Sequence, residues 1–387
     1  MKYLDSLKGK TLTIPYNNDL NLIKLLGEFL VEPRPFNVSI YFAPNPLVAN
    51  AGRKMPNLKK YVDKKGIFNS KKFDADLFDA LKLAKSFGFR TNLLLNNVLL
   101  GIPHSDNDLK FSIPKIQKYL EKINSYGVLD RITISNPYLL ELINWKKLPN
   151  VEIKTSVNFQ IKGPKTIGLI NNLSDHWFDR KIDSLELQKD LLRNMKLLKL
   201  IRKQSASNTK FSIIVNEGCL TGCPYQMAHQ LYAFSFPHSE RKVKQDKISF
   251  NIAKCKYITK KDPWRILDAN WILPSWLKYY TDLIDEFKLT DREASTDDIL
   301  YIVKAYTTGE YDKNNICRLV SLLNMEKFVF PESALPKDFF KKVSGGLADD
   351  KYYKDVWHQI SLLNSGNIHI GLSGLQKDDL HKFIGNN

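Results

Sequence analysis

Cys219 and Cys223 lie in the stretch FSIIVNEGCLTGCPY, where an apolar run with strand composition breaks into Gly-Cys-Leu-Thr-Gly-Cys-Pro. The spacing is Cys-x3-Cys, followed by Cys255 in AKCKYI and Cys317 in NNICRLVSLLN. The first residues, MKYLDSLKGK, lack the apolar segment and small-residue cleavage site of a secretory signal, so a cytoplasmic location with reduced thiols is expected. In that setting, closely spaced cysteines have more reason to hold a metal than a disulfide. Gly218 and Gly222 let the backbone fold closely around a bulky centre, and Pro224 suits the first position of a helix. Cys223 is then expected at a helix start, where unpaired amides stabilise a thiolate. Soft thiolates select iron-sulfur clusters or zinc over hard cations. Structural zinc sites usually show paired Cys-x2-Cys knuckles, which this chain lacks. Zinc and unligated buried thiols remain the alternatives to a cluster. Cys317 is the candidate fourth ligand, although a small residue on an apolar helix face also serves as core packing. His229 and His238 are the other candidates.

These residues need elements to position them. Runs rich in β-branched and aromatic residues predict strands at Thr11–Ile14, Asn37–Phe42, Thr91–Leu95, Arg131–Ser135, Val151–Val157, His176–Asp179, Phe211–Val215 and Ile284–Leu289. Between them, apolar residues recur at helical spacing over Leu20–Leu30, Asp74–Phe87, Ile113–Ile123 and Leu185–Ile201. Alternation of strand and helix requires parallel strands with crossover helices and predicts an α/β fold, a (β/α)8 TIM-like barrel. The barrel is expected over residues 1–310, with a cluster-bearing insertion at 217–282 between strands seven and eight. A helix is expected over Ser295–Thr307, and residues 311–387 are expected to form a mostly helical C-terminal extension. Chemistry in such barrels gathers where strands end. The strand ends are polar: Pro15 and Tyr16, Asn45, Asn96 and Asn97, Asn136, Asn158, Asp179 and Arg180, Asn216 to Cys223, and Lys288 to Arg292. Asn is also a routine loop former.

The formal net charge is +17, and lysine outnumbers arginine about fourfold. Such a charge suits RNA or another polyanion, but bidentate phosphate recognition favours arginine, so a solvated lysine-rich surface is the competing reading. No apolar run approaches the ~20 residues that cross a bilayer, and no membrane association is expected. His-Glu-x-x-His and Gly-x-Ser-x-Gly are absent, which removes two common routes to peptide hydrolysis.

The cysteine segment, followed by WILPSWLKYYTDLIDEFKLTDREASTDDILYIVKAY, resembles the U-32 family of collagenase-like peptidases. Leu273, Pro274 and Leu277 match that family's Leu-Pro-x-Leu helix. Lys288, Leu289, Thr290, Asp291 and Arg292 match its Lys-Ile-Glu-Gly-Arg strand end, with Glu and Gly replaced by Thr290 and Asp291. Asn50-Ala51-Gly52-Arg53 looks like its Arg-bearing loop, and Leu94-Leu95-Asn96-Asn97 like its third strand end. The likeness runs in order over about residues 10 to 310. It implies an oxygen-independent hydroxylase or related modifying enzyme acting on RNA or a small aromatic or carboxylated metabolite, with prephenate as a possible co-substrate. It also implies a 4Fe-4S cluster on Cys219, Cys223 and Cys255. Family members commonly carry one more cysteine before the last of these. Cys317, His229 or an open iron takes that place here.

Arg53, Lys288 and Arg292 are then expected to bind carboxylate or phosphate beside the cluster as a group of cations without an acidic partner. Arg292 paired with Asp291 or Glu293 is the alternative. Asn96, Asn158 and Glu217 are expected to orient the reactant. A non-catalytic partner subunit in a hetero-oligomer and a peptidase are the rival functions.

Overall fold

In the computed structural model, strands with buried apolar residues at alternate positions pair side by side, each parallel to the one before, until the eighth returns to the first. The structure describes residues 2–49, 57–96, 106–176, 180–226, 250–320 and 329–363. The closed barrel comprises β1 (Thr11–Pro15), β2 (Asn37–Phe42), β3 (Arg90–Leu95), β4 (Arg131–Ile134), β5 (Glu152–Thr155), β6 (Ser184–Glu186), β7 (Lys210–Ile214) and β8 (Glu286–Lys288). Parallel neighbours cannot be joined by tight hairpins, so helices carry the chain back. They are α1 (Leu20–Phe29), α2 (Ser70–Ser86), α3 (Asp106–Ser125), α4 (Pro137–Leu142), α5 (Pro164–His176) and α6 (Met195–Gln204). The connection from β7 to β8 contains α7 (Phe250–Lys261), and α8 (Thr296–Thr308) follows β8.

Side chains alternate across a strand, so each strand presents one set outward and one inward. Leu12, Ile14, Val38, Ile40, Ile132, Ile134, Ile153, Ile213 and Phe287 form part of the buried apolar core. The alternate set is polar and ionic. Glu286 Oε1 accepts from Thr13 Oγ1 at 2.6 Å and from Lys154 Nζ at 2.6 Å, while Arg131 Nη1 reaches Glu286 Oε2 at 2.6 Å. Lys154 Nζ also meets Ser212 Oγ at 2.7 Å and Glu186 Oε2 at 3.0 Å. Barrels of this class usually fill with branched apolar side chains. This one is filled by an ion network spanning β1, β4, β5, β6, β7 and β8.

The sixth strand corrects the sequence expectation. His176 closes α5, the expected strand at His176–Asp179 runs on into residues 177–179 outside the described set, and β6 is Ser184–Glu186. Its Ser and Glu conceal it from a search for apolar runs, and Leu185 lent itself to the helical spacing that follows. The helix itself starts at Met195, where the Asn194 side chain accepts the Leu197 amide at 2.9 Å. Asn194→Ala is expected to cost about 1 kcal/mol, the usual value of an N-cap, as a fall in the urea midpoint at unchanged slope.

Among the described residues no helix is long and apolar enough to cross a membrane. The extension contributes α9 (Phe339–Ser344) and α10 (Asp350–Leu363), and it packs on the β7–β8 insertion through rings. Trp271 stacks with Trp276 at 5.4 Å and with Phe339 at 6.4 Å, and Trp264 stacks with Tyr353 at 6.3 Å.

Candidate functional site

The loop that leaves β7 is fixed at its base by Asn216, whose Oδ1 accepts the Thr290 amide at 2.7 Å and so ties the ends of β7 and β8 together. Asn216 also bridges Trp271, and the Ile272 amide donates to Val215 O at 2.8 Å, drawing the far end of the insertion back to the strand. Glu217 follows, buried, with its Oε1 at 2.7 Å from Lys189 Nζ. Lys189 belongs to the 3-10 turn Lys189–Leu191 after β6. That turn grips the cysteine loop. Asp190 Oδ1 accepts the Gly222 amide at 3.3 Å and Asn270 Nδ2 at 3.2 Å, and Gln188 Nε2 donates to Gln226 Oε1 at 3.1 Å. Gly222 sits at φ +64°, a conformation that a side chain disfavours. The Cys219 carbonyl accepts the Asn270 amide at 3.0 Å.

Cys219, Cys223 and Cys255 are half-buried, and none of them forms a disulfide among the described residues. The Cys255 thiol hydrogen-bonds to the Cys223 sulfur, which with the Tyr225 amide and the charge of Lys189 pulls Cys223 down to about 6 against the opposing effect of burial. Cys255 is pushed up by the same hydrogen bond, by burial and by the charges of Cys223 and Cys219. The three therefore share one electrostatic neighbourhood, although no group of three or more His, Cys, Asp or Glu is arranged to hold a metal ion among the described residues. Cys223 precedes the turn at Pro224 and Tyr225. Cys317 stands apart from this group in its surroundings. It lies in the 3-10 turn Ile316–Arg318, packs against the core, and its thiol is pushed up to about 12 by burial alone.

Lys288 is buried inside the mouth, with Nζ at 3.0 Å from both oxygens of Glu186 and 5.2 Å above the Tyr41 ring. The expected cation group without an acidic partner is thereby corrected. Burial pushes the Lys288 ammonium down while Glu186 pulls it up, and Glu186 is held low by Lys288 and Lys154 against its own burial. Arg292 is also buried, two residues beyond Thr290. Between them Asp291 takes φ +84°, the left-handed region that suits the glycine found there in the resembling motif. Arg53 and Asn97 lie outside the described residues, as do Asp179, His229 and His238. Asn96 follows β3 directly, with a buried Oδ1 that has no hydrogen-bond partner among the described residues. Asn158 is buried in the turn Val157–Phe159, its amide donating to Ser156 Oγ at 3.3 Å. Asn45 and Asn136 serve as turn residues: Asn45 Nδ2 donates to Ser70 Oγ at 2.7 Å and Asp74 Oδ1 at 2.8 Å, and Asn136 Oδ1 accepts the Tyr138 amide at 2.9 Å.

Sequence reading missed Lys189, Glu186, Lys154, Glu286 and Arg131. For the strand residues a signal was present as polar or charged side chains at every second position: Glu152 and Lys154, Ser184 and Glu186, Lys210 and Ser212, Glu286 and Lys288. In a barrel whose outer face is buried under helices, such residues can only face inward.

No family model matches the chain. The uncharacterized protease MJ1657 of Methanocaldococcus jannaschii is 26% identical over 257 residues, which are 66% of this chain and 71% of that protein. Among solved structures, the U32 peptidase Mk0906 shows 14% identity over 75% of this chain and 96% of its own, with a TM-score of 0.46. An alpha-amylase from Lactobacillus plantarum shows 12% identity over 82% of this chain and 81% of its own, with a TM-score of 0.34.

Proposed function

We propose that this chain, 26% identical to an uncharacterized protease over 66% of its length, is an enzyme of the U32 peptidase type whose strand-end mouth holds a 4Fe-4S cluster and carries out an oxygen-independent modification, hydroxylation in the first instance. What supports this reading is that Cys219, Cys223 and Cys255, from two separate segments of the β7–β8 connection, share one electrostatic neighbourhood, with Cys223 and Cys255 in direct hydrogen-bond contact. The donors fit in kind, since soft sulfur ligands on a partly exposed face suit an iron-sulfur centre. When bound, the cluster supplies redox or Lewis-acid chemistry to a substrate oxygen. Lys189 offsets negative charge beside the thiolates. Lys288 and Arg292 hold the carboxylate or phosphate of the substrate, an RNA nucleotide or a small carboxylated metabolite of the prephenate kind, while Asn96, Asn158 and Glu217 orient it. The surroundings of Cys317 favour His229 or an open iron as the fourth ligand.

Anaerobic reconstitution with iron and sulfide tests this. A broad sulfide-to-iron absorption band is expected, lost in Cys219→Ala, Cys223→Ala and Cys255→Ala and retained in Cys317→Ala. A colourless product with stoichiometric zinc would sink the reading.

One feature favours a peptidase: the hydrogen bond from Cys255, the Tyr225 amide and Lys189 hold the Cys223 thiol below the ordinary thiol range, which favours the nucleophilic thiolate. Among the described residues the groups acting on it are Cys255, the Tyr225 amide, Lys189 and Asp190, with no histidine among them. Metal-free protein that cleaves a fluorogenic peptide and is stopped by iodoacetamide would replace the cluster enzyme with this alternative. A cluster that forms but supports no turnover would leave the hetero-oligomeric partner role.

A further inference from the structure

A cleft of about 470 Å³ opens on the flank of the barrel, between the start of α6, the 3-10 turn Pro274–Tyr279 and the C-terminal extension. None of its lining residues belongs to a strand or to the cysteine loop. Its walls are aromatic. Tyr279 stacks on Phe340 at 4.6 Å with planes 11° apart, and Trp276 meets the same ring at 5.0 Å. Tyr279 remains 48% exposed, with the Lys278 ammonium 5.2 Å from its ring centroid, so an incoming apolar group can reach it beside a further cation.

The charge around this cleft is predominantly positive. Lys199, Lys337 and Lys341 line it, and none of the three forms an ion pair among the described residues. The acid that lines it, Glu332, already accepts from Tyr311 OH at 2.8 Å and Ser275 Oγ at 3.3 Å, while nearby Asp338 is held by Lys342 at 3.2 Å. A ring packed against the exposed part of Tyr279 gains aromatic contact and apolar burial, and its acidic group finds ammonium groups not committed to protein carboxylates. A cleft of this volume suits a small molecule. A nucleic-acid strand would need a groove continuing past it.

We propose that this flank cleft binds a small planar apolar anion of the aromatic carboxylate class, independently of the chemistry at the barrel mouth. Calorimetric titration of the purified protein with 2-naphthoate, its neutral counterpart 2-naphthalenemethanol and a single-stranded oligonucleotide tests it. Wild type is expected to bind naphthoate about tenfold or more tighter than the alcohol, a difference worth ~1.4 kcal/mol. Tyr279→Ala weakens both naphthalene compounds, whereas the double variant Lys337→Glu, Lys341→Glu weakens naphthoate alone. Both variants alter exposed side chains, and circular dichroism confirms that they fold. Absence of naphthoate binding to wild type overturns the proposal, as does binding unchanged in both variants. Oligonucleotide binding that both variants abolish overturns it in favour of a nucleic-acid surface.

Discussion

Glu286→Gln lowers the stability of the fold by about 3–5 kcal/mol, the usual loss when one member of a buried ion network is removed and its partners stay charged. Glu286 receives Thr13, Lys154 and Arg131, each at 2.6 Å, and is itself buried. An amide keeps the shape and accepts through one oxygen only, so Lys154 and Arg131 lose the charge that compensated their desolvation. Urea unfolding at neutral pH measures the effect. The double variant Glu286→Leu, Lys154→Met is expected to be less damaging than the sum of its single variants, because removing both charges together removes the uncompensated remainder. An unchanged urea midpoint in Glu286→Gln would show that the network contributes little.

The same residues set the response to acid. Arg131 and Lys154 hold Glu286 well below the ordinary carboxylate range against its burial, and Glu186 and Glu152 are lowered as well. A carboxyl whose folded pKa lies below its unfolded value of about 4.3 contributes stability that is complete above that value. It is lost as pH falls through the folded pKa. Wild type is thus expected to lose stability progressively below about pH 4, and Glu286→Gln to lose less over the same interval, as seen in urea midpoints taken at descending pH.

Arg193→Met is expected to cost about 2–4 kcal/mol, because two buried carbonyls lose their donors while the volume is nearly kept. Arg193 Nε and Nη2 donate to Trp271 O at 3.0 and 2.8 Å, and Nη1 donates to Leu267 O. The guanidinium also lies 4.4 Å from the Trp271 ring centroid and 6.0 Å from that of Phe339. This side chain touches both the insertion and the extension, so near-ultraviolet dichroism should weaken with the urea midpoint. Retention of both signals would refute the role.

The strands with apolar, β-branched character were legible from sequence. Asn37–Phe42 was located to the residue, and β1, β3, β4, β7 and β8 to within about two positions at either end. β6 was hidden because both its inward positions are polar. The barrel itself was legible because alternation of strand and helix leaves few ways to pair parallel strands. At the mouth, local spacing pointed to Cys219 and Cys223, and Cys255 came with the family resemblance. Lys189 was not legible. Its place beside them depends on how the turn after β6 meets the loop after β7, which no local pattern carries. The acidic partner of Lys288 was missed for the same reason, since Glu186 lies 102 positions away.

The barrel is held unevenly around its circumference. Elsewhere adjoining strands share three or more paired positions, but β5 and β6 share one, Lys154 with Ser184. Side chains stitch this join: the Ile153 amide donates to Asp183 Oδ2 at 2.8 Å, the Glu186 amide to Thr155 Oγ1 at 3.0 Å, and the Val157 amide to Glu186 Oε1 at 3.3 Å. A backbone ladder is indifferent to which residues form it; here, besides the one paired position, the Asp183 amide to Ile153 O, at 2.9 Å, and the bridge from Ile161 to Leu187 are of that kind, and the rest of the fastening depends on Thr155, Asp183 and Glu186 keeping their oxygens. The ring therefore has a weak link written in side chains, and substitutions that any other strand pair would absorb act here on the closure of the whole barrel.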